Sequence, residues 1–176
     1  MKILKRIGLV IVALILLLLI VALFVPRDFS VEKEIVINRP QQEVFAYVKN
    51  ISNQNKFSVW NMADPNMKQE QRGTDGTVGF VLYWNGNDDV GEGEQEIKKI
   101  ENGRIDTELR FKRPMESTAN AFMATAPADA NTTKVTWGMY GTSSYPMNFM
   151  NLFCGSIIGK DLDKGLHNLK DVMEKK

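Results

Sequence analysis

The sequence predicts an α+β protein in which one membrane-spanning helix precedes a curved antiparallel sheet that wraps around a long C-terminal helix. Three observations predict this fold class. Residues 7–25 carry no charged side chain. Beyond Met67, turn signals recur between runs of alternating apolar and polar side chains, which is typical of antiparallel strands. After residue 148, the apolar side chains change to helical spacing.

The apolar run from Ile7 to Val25 is long enough to cross a bilayer. At about 1.5 Å rise per residue, a helix of this length spans roughly a hydrocarbon core. The run is longer than a signal-peptide core, and no A-x-A-like cleavage pattern precedes Pro26. We therefore predict an uncleaved anchor over residues 1–27, followed by one domain over residues 28–176. A long secretory signal with an unobvious cleavage site is the alternative.

Basic residues flank the span on both sides. Lys2, Lys5 and Arg6 crowd the short N-terminal flank, and other basic side chains follow the span. Lys and Arg are retained on the cytoplasmic side of a membrane, whereas a long domain crosses largely regardless of its charge. We therefore expect a single-pass membrane protein with a cytoplasmic N-terminus and its domain outside, in the periplasm or the extracellular space.

Charge and cysteine content argue against several kinds of partner and fold. The chain has 22 basic and 21 acidic residues, and some of the basic ones lie in or beside the anchor. The domain is therefore slightly acidic, which argues against electrostatic binding of nucleic acid or anionic lipid. Cys154 is the only cysteine, so no internal disulfide can form. About 150 residues suit one domain that is stabilised by its packed core.

The first part of the domain predicts a strand and two short helices. Residues 31–37 alternate in the way a strand does. Asn38 can cap the next helix, with Pro40 near its first turn and apolar residues at helical spacing behind it. Residues 51–64 are polar with isolated apolar side chains. They predict a second short helix that leads into an extended, partly buried segment.

Further strands after Met67 bring the predicted sheet to about seven strands. The turn signals between them are Thr74-Asp75-Gly76, Asn85-Gly86-Asn87, Asn102-Gly103 and Asp129-Ala130-Asn131. The Asn102-Gly103 pair is the clearest signal for a tight hairpin. Period-two spacing gives three sets of apolar side chains, each on one face of a strand: Val78, Phe80, Leu82 and Trp84; Ile105, Leu109 and Phe111; Val135, Trp137 and Met139.

The C-terminal stretch predicts one long amphipathic helix. Apolar residues from Phe149 to Met173 mostly fall three to five positions apart. Gly155 and Gly159 each lower helix propensity by about 1 kcal/mol relative to alanine. We therefore expect a break or kink near Gly159, with residues 160–175 as the firmer half of the helix.

A family resemblance is carried by three segments: Ile37-Asn38-Arg39-Pro40 through Val44-Phe45-Ala46-Tyr47-Val48, then Trp60-Asn61-Met62-Ala63-Asp64-Pro65, and finally Gly159-Lys160-Asp161-Leu162-Asp163-Lys164-Gly165-Leu166. In this order they resemble the polyketide cyclase/dehydrase-like branch of the SRPBCC superfamily, which also contains START-like and birch-pollen-allergen-like proteins. The resemblance covers residues 30–175. It implies a helix-grip fold with a deep cavity, between the sheet and the last helix, for an apolar or amphipathic small molecule.

The superfamily shares no catalytic set, because its members include lipid carriers, hormone receptors, cyclases and co-chaperones. Bulky apolar side chains that face a curved sheet surround space unless they interlock, and plain core packing is the alternative. Our cavity candidates are Trp60, Phe80, Leu82, Trp84, Trp137, Met139, Phe153, Leu162 and Leu166. Glu96, Arg110 and Tyr140 lie on neighbouring strands, where one of them could face inward and orient a ligand.

The sequence predicts no catalytic residue, no cofactor and no metal ligand. His167 falls off the apolar stripe of the last helix, which predicts a surface histidine. Cys154 sits among apolar residues, which favours a buried and inert thiol. Glu92, Glu94 and Glu96 alternate along a strand, and such a row is usually a solvated face.

Three functional hypotheses follow. The first is a membrane-anchored binding or carrier domain for a hydrophobic or amphipathic small molecule or lipid. The second is a polyketide cyclase/dehydrase-like enzyme, which would need a pair of polar groups inside the cavity. The third is a protein-interaction module with a filled core, which could offer the Tyr145-Pro146-Met147 loop to a partner. The sequence leaves the ligand and the oligomeric state open.

Overall fold

A computed structural model describes residues 2–175 of the chain. Its helices are α1 (Lys2–Phe24), α2 (Gln41–Val48), α3 (Val59–Met62) and α4 (Asn151–Glu174), with a first 3-10 helix at Ile51–Lys56 and a second at Met147–Met150. Its strands are β1 (Asp28–Ile37), β2 (Lys68–Arg72), β3 (Val81–Asn85), β4 (Glu92–Glu101), β5 (Arg104–Arg113), β6 (Ser117–Pro127) and β7 (Thr133–Thr142). The predicted α+β fold with a long C-terminal helix is confirmed.

The strands form one seven-stranded sheet in the order β1-β7-β6-β5-β4-β3-β2. Neighbouring strands are antiparallel throughout. Strands β2 to β7 therefore form a meander, and β1 pairs with β7 as the edge strand on that side. Between β4 and β5 the loop consists of Asn102 and Gly103, which have φ values of 49° and 77°. A type I′ turn needs positive φ at both positions, so the predicted tight hairpin is confirmed.

One stripe of α4 covers the sheet. Leu162, Leu166 and Leu169 are fully buried and belong to the main hydrophobic core together with Trp137. Burial of each such leucine contributes about 2 kcal/mol to stability. Gly165 allows the close approach of helix and sheet, because a Cβ at this position would lie 2.6 Å from Cζ3 of Trp137.

The predicted break near Gly159 is wrong, because α4 runs without interruption from Asn151 to Glu174. Gly159 is buried against β1, where a Cβ would lie 3.2 Å from Cε of Lys33 and 3.4 Å from Cγ1 of Val31. Packing of the helix on β1 therefore offsets the low helix propensity of glycine.

Three local predictions also differ from the structure. Residues 51–64 form the first 3-10 helix and the four-residue α3, where one short helix followed by an extended segment was predicted. Asn38 does not cap α2, because the N-cap position is Pro40 and no side chain caps the helix. The backbone N–H of Asn38 instead donates to the Glu174 carboxylate at 2.7 Å. Val78 lies before β3 and is 61% exposed, since the chain turns at Gly79 with a φ of 87°.

The N-terminal helix α1 contacts the domain only near its C-terminal end. Ala22 is buried there, whereas most of the preceding side chains are exposed. Residues Ile3–Phe24 have a mean hydropathy of 3.5 in their most apolar window, so this one helix is long and apolar enough to cross a membrane.

Candidate functional site

A cavity of about 760 Å³ lies between the sheet and the helices around α3 and the start of α4. Side chains of β1, β4 and β6 contribute to the sheet wall, and much of its apolar part comes from alternate side chains of β3, β5 and β7, because successive residues of a strand point to opposite faces. The wall residues from these strands are Leu82, Trp84, Leu109, Phe111, Trp137 and Met139. Trp60, Met150 and Ile158 contribute apolar surface from outside the sheet. The volume is within the usual range for small-molecule sites.

Trp137 lies where the core ends and the cavity begins. Its ring packs edge-to-face against Phe57 on the core side, with centroids 5.6 Å apart. It also packs against Trp60, with centroids 5.9 Å apart and planes at 87°. Such edge-to-face contacts are favourable beyond the area they bury. Trp137 is therefore both a core residue and a wall of the cavity.

The structure divides the predicted cavity residues into two groups. Trp60, Leu82, Trp84, Trp137 and Met139 line the cavity together. The others lie elsewhere, as Phe80, Leu162 and Leu166 are buried in the core and Phe153 is 50% exposed on α4.

Uncharged polar side chains lie at the inner end of the cavity. Gln54, Ser58 and Gln95 all line it, and all three are buried. The Ser58 hydroxyl makes no hydrogen bond to any described residue. The Gln95 amide donates from Nε2 to the Thr107 hydroxyl at 3.1 Å, and this hydroxyl donates to the Ala121 carbonyl at 3.3 Å. The chain of bonds orients the Gln95 amide.

Sequence reasoning did not select these polar residues, although one signal for Gln95 was present. Glu92, Glu94 and Glu96 share one face of β4, so the residues between them must share the other. Gln95 is therefore on the inner face by parity. Gln54 lies in the first 3-10 helix, and Ser58 follows that helix. Neither a two-residue nor a 3.6-residue period reveals which positions of such a segment point inward.

Glu96, Arg110 and Tyr140 lie outside the cavity lining. Arg110 donates to Glu96 at 2.7 Å and to Glu94 at 3.1 Å, and it also pairs with Glu108. These partly buried groups form an ion-pair cluster on the outer face of the sheet, in place of a simple solvated row. Tyr140 is partly exposed, and its ring lies 6.5 Å from that of Phe122.

The ion pairs shift the pKa values of Arg110, Glu96 and Glu94. The Glu96 carboxylate, followed by Glu108 and Glu94, raises the pKa of Arg110. Hydrogen bonds from Arg110 and Lys98 lower the pKa of Glu96. Burial alone would raise the pKa of Glu94, but hydrogen bonds from Arg110 and Arg72 outweigh burial and lower it. Arg110, Glu94 and Glu96 therefore stay ionised near neutral pH.

The two candidate nucleophile or base residues lie away from the cavity lining. His167 is exposed on α4, with Nδ1 2.8 Å from the Asp163 carbonyl oxygen. Cys154 is half-buried, and burial raises the pKa of its thiol, which makes it less reactive. Within residues 2–175 no cluster of histidine, cysteine and carboxylate side chains suits a metal ion.

The opening of the cavity is marked by lining residues that are also exposed. Met115 lies in the turn between β5 and β6, and Met147 and Met150 lie on the second 3-10 helix. Glu116 lies beside Met115 and is also exposed. The opening is therefore bordered by methionines together with exposed polar residues of β6 and of the loop after β7, and the second 3-10 helix on one side of it also contacts α1.

The fold is shared with several solved structures. Norcoclaurine synthase from Thalictrum flavum, in complex with dopamine and hydroxybenzaldehyde, matches with a TM-score of 0.63 at 10% identity, over 84% of this chain and 87% of that one. A protein from Thermobifida fusca matches with a TM-score of 0.55 at 16% identity, over 83% and 93%. Ara h 8.0201 matches with a TM-score of 0.56 at 11% identity, over 85% and 99%. At these identities the likeness shows the fold alone.

The sequence itself identifies the family. A comparison with curated proteins gave no match. Residues 28–174 match the family described as polyketide cyclase / dehydrase and lipid transport. This match, with the seven-stranded sheet and the long last helix, confirms the predicted SRPBCC resemblance and its ligand-binding fold. The chain therefore belongs to the polyketide cyclase / dehydrase and lipid transport family.

Proposed function

We propose that this protein is a membrane-anchored carrier or binding protein for a hydrophobic or amphipathic small molecule. The observation that carries the proposal is the cavity of about 760 Å³ with its largely apolar wall. In this proposal residues 1–27 are the anchor, and residues 28–176 are the binding domain outside the cytoplasm. The cavity also favours ligand binding over an interaction module, because a module of that kind needs a filled core.

The composition of the wall indicates the class of ligand. Enclosing about 300 Å² of apolar ligand surface provides roughly 7 kcal/mol before the costs of association, which is enough for micromolar binding at best. Gln95 and Ser58 supply uncharged hydrogen-bonding groups at the inner end. The ligand that fits is an apolar body with one uncharged polar group, such as a hydroxyl or a carbonyl.

Carriage is better supported than catalysis. The solved complex of norcoclaurine synthase with dopamine and hydroxybenzaldehyde shows the same fold holding small aromatic molecules. Acid–base catalysis needs titratable groups within reach of the substrate. Among the described residues that line the cavity, Glu116 is the one charged side chain, and it is exposed at the opening. Within the described part of the chain, Glu116 therefore has no second titratable side chain inside the cavity with which to form an acid–base pair.

The test is occupancy of the cavity in the full-length protein. Ala121 is buried on β6 and lines the cavity, so Ala121→Phe places a ring inside it. Ala126 is exposed on the same strand, which makes Ala126→Phe the matched control. Native mass spectrometry in detergent should show uptake of fluorescent fatty alcohol by the wild type and the control, with at least tenfold weaker uptake by Ala121→Phe. Absence of uptake by the wild type across fatty-alcohol, sterol and aromatic probes would contradict the proposal.

A further inference from the structure

Two asparagines fasten the end of α1 to the domain. Asn148 is 1% exposed, and its Nδ2 donates to the carbonyl oxygens of Ala22 at 2.7 Å and Val25 at 2.8 Å. Asn151 donates from Nδ2 to the Arg27 carbonyl oxygen at 2.8 Å. The last carbonyls of a helix have no partner within the helix, so the Asn148 amide caps α1, while Asn151 holds the segment that follows the helix. The end of α1 and the second 3-10 helix therefore form one unit.

Burial of the Asn148 side chain is only partly compensated by hydrogen bonds. Its Oδ1 atom finds no hydrogen-bond partner among the described residues. A buried polar atom without a partner lowers the stability of the folded protein. In a lipid environment an uncapped backbone carbonyl is more unfavourable still, since no water is there to replace the hydrogen bond. The arrangement is therefore favourable where the end of α1 lies in or next to a bilayer.

The same segment reaches back along α1. The Tyr145 hydroxyl lies 3.4 Å from the Leu19 carbonyl oxygen, and Leu19 belongs to the apolar Ile3–Phe24 segment. Leu19 precedes the end of the helix by about 8 Å at 1.5 Å rise per residue. If α1 spans the bilayer, Tyr145 and the second 3-10 helix must lie at the level of the membrane interface. Tyrosine is enriched at this depth.

An exposed apolar surface continues from this point onto the first turns of α4. No charged residue occurs from Ser143 to Gly159. We call the exposed apolar residues of this segment the apolar collar, and they are 40–58% exposed. The collar residues are Tyr145, Met147, Met150, Leu152, Phe153 and Ile157. A contiguous exposed apolar surface of this kind marks an interaction site.

We propose that the apolar collar inserts into the bilayer surface beside α1, so that the cavity opens directly onto lipid. The inference rests on the anchor of the proposed function. The occupant is the acyl and glycerol region of the membrane, because the collar is continuous with the end of the membrane helix. Met147 and Met150 belong both to the collar and to the opening. An apolar ligand can therefore pass between bilayer and cavity without crossing water.

Spin labels can measure the depth of the collar in the full-length protein. In a Cys154→Ser background, single cysteines replace Phe153 in the collar or Asp163 on the far part of α4, and both native residues are exposed. The labelled proteins are reconstituted in phosphatidylcholine vesicles. For each label, the measured quantity is the ratio of its collision rate with oxygen to its collision rate with a water-soluble nickel chelate. This ratio should be several-fold higher at residue 153 than at residue 163. Equal ratios with the water-exposed pattern at both sites would overturn the inference.

A third label separates this inference from the anchor itself. Leu14 lies in the middle of α1 and is exposed. If the label at residue 14 is in lipid and the label at residue 153 is in water, the inserted collar is contradicted and the anchor is supported. If the label at residue 14 is in water, both the anchor and the inserted collar are contradicted. Uptake of the fluorescent fatty alcohol in detergent tests the cavity independently of either result.

Discussion

At the scale of single residues, Gln95 is the polar group whose setting most restricts the ligand. It is buried on the inner face of β4, and its Nε2 is engaged by Thr107. Its amide oxygen is then the atom that a ligand hydroxyl can use. An apolar ligand without such a group leaves that oxygen unsatisfied, which costs affinity. This arrangement favours alcohols over hydrocarbons of equal length.

Gln95→Leu should reverse this preference. Loss of one hydrogen bond costs about 1 kcal/mol, so we expect roughly fivefold weaker binding of a fatty alcohol. Binding of the matching alkane should stay equal or become tighter. Displacement of a fluorescent probe measures both affinities, and Gln71→Leu on the exposed strand β2 is the control. Equal losses for alcohol and alkane would show that the variant disturbs the fold instead of the recognition.

Arg110 is the residue on which the outer ion-pair cluster depends. Arg110→Met leaves Glu94, Glu96 and Glu108 close together without their shared cation. We expect a loss of about 2 kcal/mol in the free energy of unfolding at pH 7, between the values for exposed and buried pairs. Chemical denaturation measures it. Arg72→Met should cost less, because Arg72 is largely exposed and pairs with Glu94 alone among these carboxylates.

The same cluster predicts how stability depends on pH. The pKa values of Glu94 and Glu96 are lowered from 4.5 in the folded protein. Their contribution is therefore present above pH 4.5 and is lost as the pH falls through the lower folded values. The difference in unfolding free energy between wild type and Arg110→Met should shrink on acidification from pH 7 to below pH 4. A difference that does not change would contradict the assigned pairing.

At the scale of elements, the glycines of α4 separate helix propensity from packing. A Cβ at Gly155 meets no atom within 4 Å, whereas a Cβ at Gly165 would lie 2.6 Å from Trp137. Gly155→Ala should stabilise the protein by up to about 1 kcal/mol through helix propensity. Gly165→Ala should destabilise it by about 1–3 kcal/mol, because Trp137 must move. Melting temperatures of both variants test the contrast, and a stabilising Gly165→Ala would contradict the close packing.

The sequence predicts those elements whose signal is local. The Asn102-Gly103 hairpin needs only two residues with positive φ, and α4 needs only its apolar period. The uninterrupted helix at Gly159 was not predictable, because contact with β1 stabilises it. Long-range packing, which no local pattern encodes, decides such cases.

The same limit explains the mixed outcome for the cavity. Leu166 and Met139 are both apolar residues on an inward face, yet one is packed in the core and the other faces the cavity. The difference depends on whether the opposite element fills the space. Phe153 is exposed because the first turns of α4 do not cover the sheet as its later turns do. Parity along β4, however, would have placed Gln95 inside and Glu96 outside.

At the scale of the whole molecule, the end of α1, the apolar collar and the cavity opening meet at the second 3-10 helix. The second 3-10 helix contributes Met147 and Met150 to the opening, and Asn148, between them, caps α1. Because these residues lie within the same four-residue helix, a change in how α1 is held must change where the opening lies. Under the proposed anchoring of α1, the cap therefore sets the position of the opening relative to the bilayer.

Asn148→Ala tests this coupling. The variant leaves the carbonyls of Ala22 and Val25 without their amide donor, so the domain should lose its fixed tilt against α1. Affinity for the fluorescent fatty alcohol in detergent should stay within twofold of the wild type, as Asn148 does not line the cavity. The rate of probe transfer from phosphatidylcholine vesicles to the reconstituted protein should fall several-fold, because the opening no longer faces lipid. Asn66→Ala, in the exposed loop before β2, is the control. An unchanged transfer rate with unchanged affinity would show that ligand enters through water and that the cap serves only the helix end.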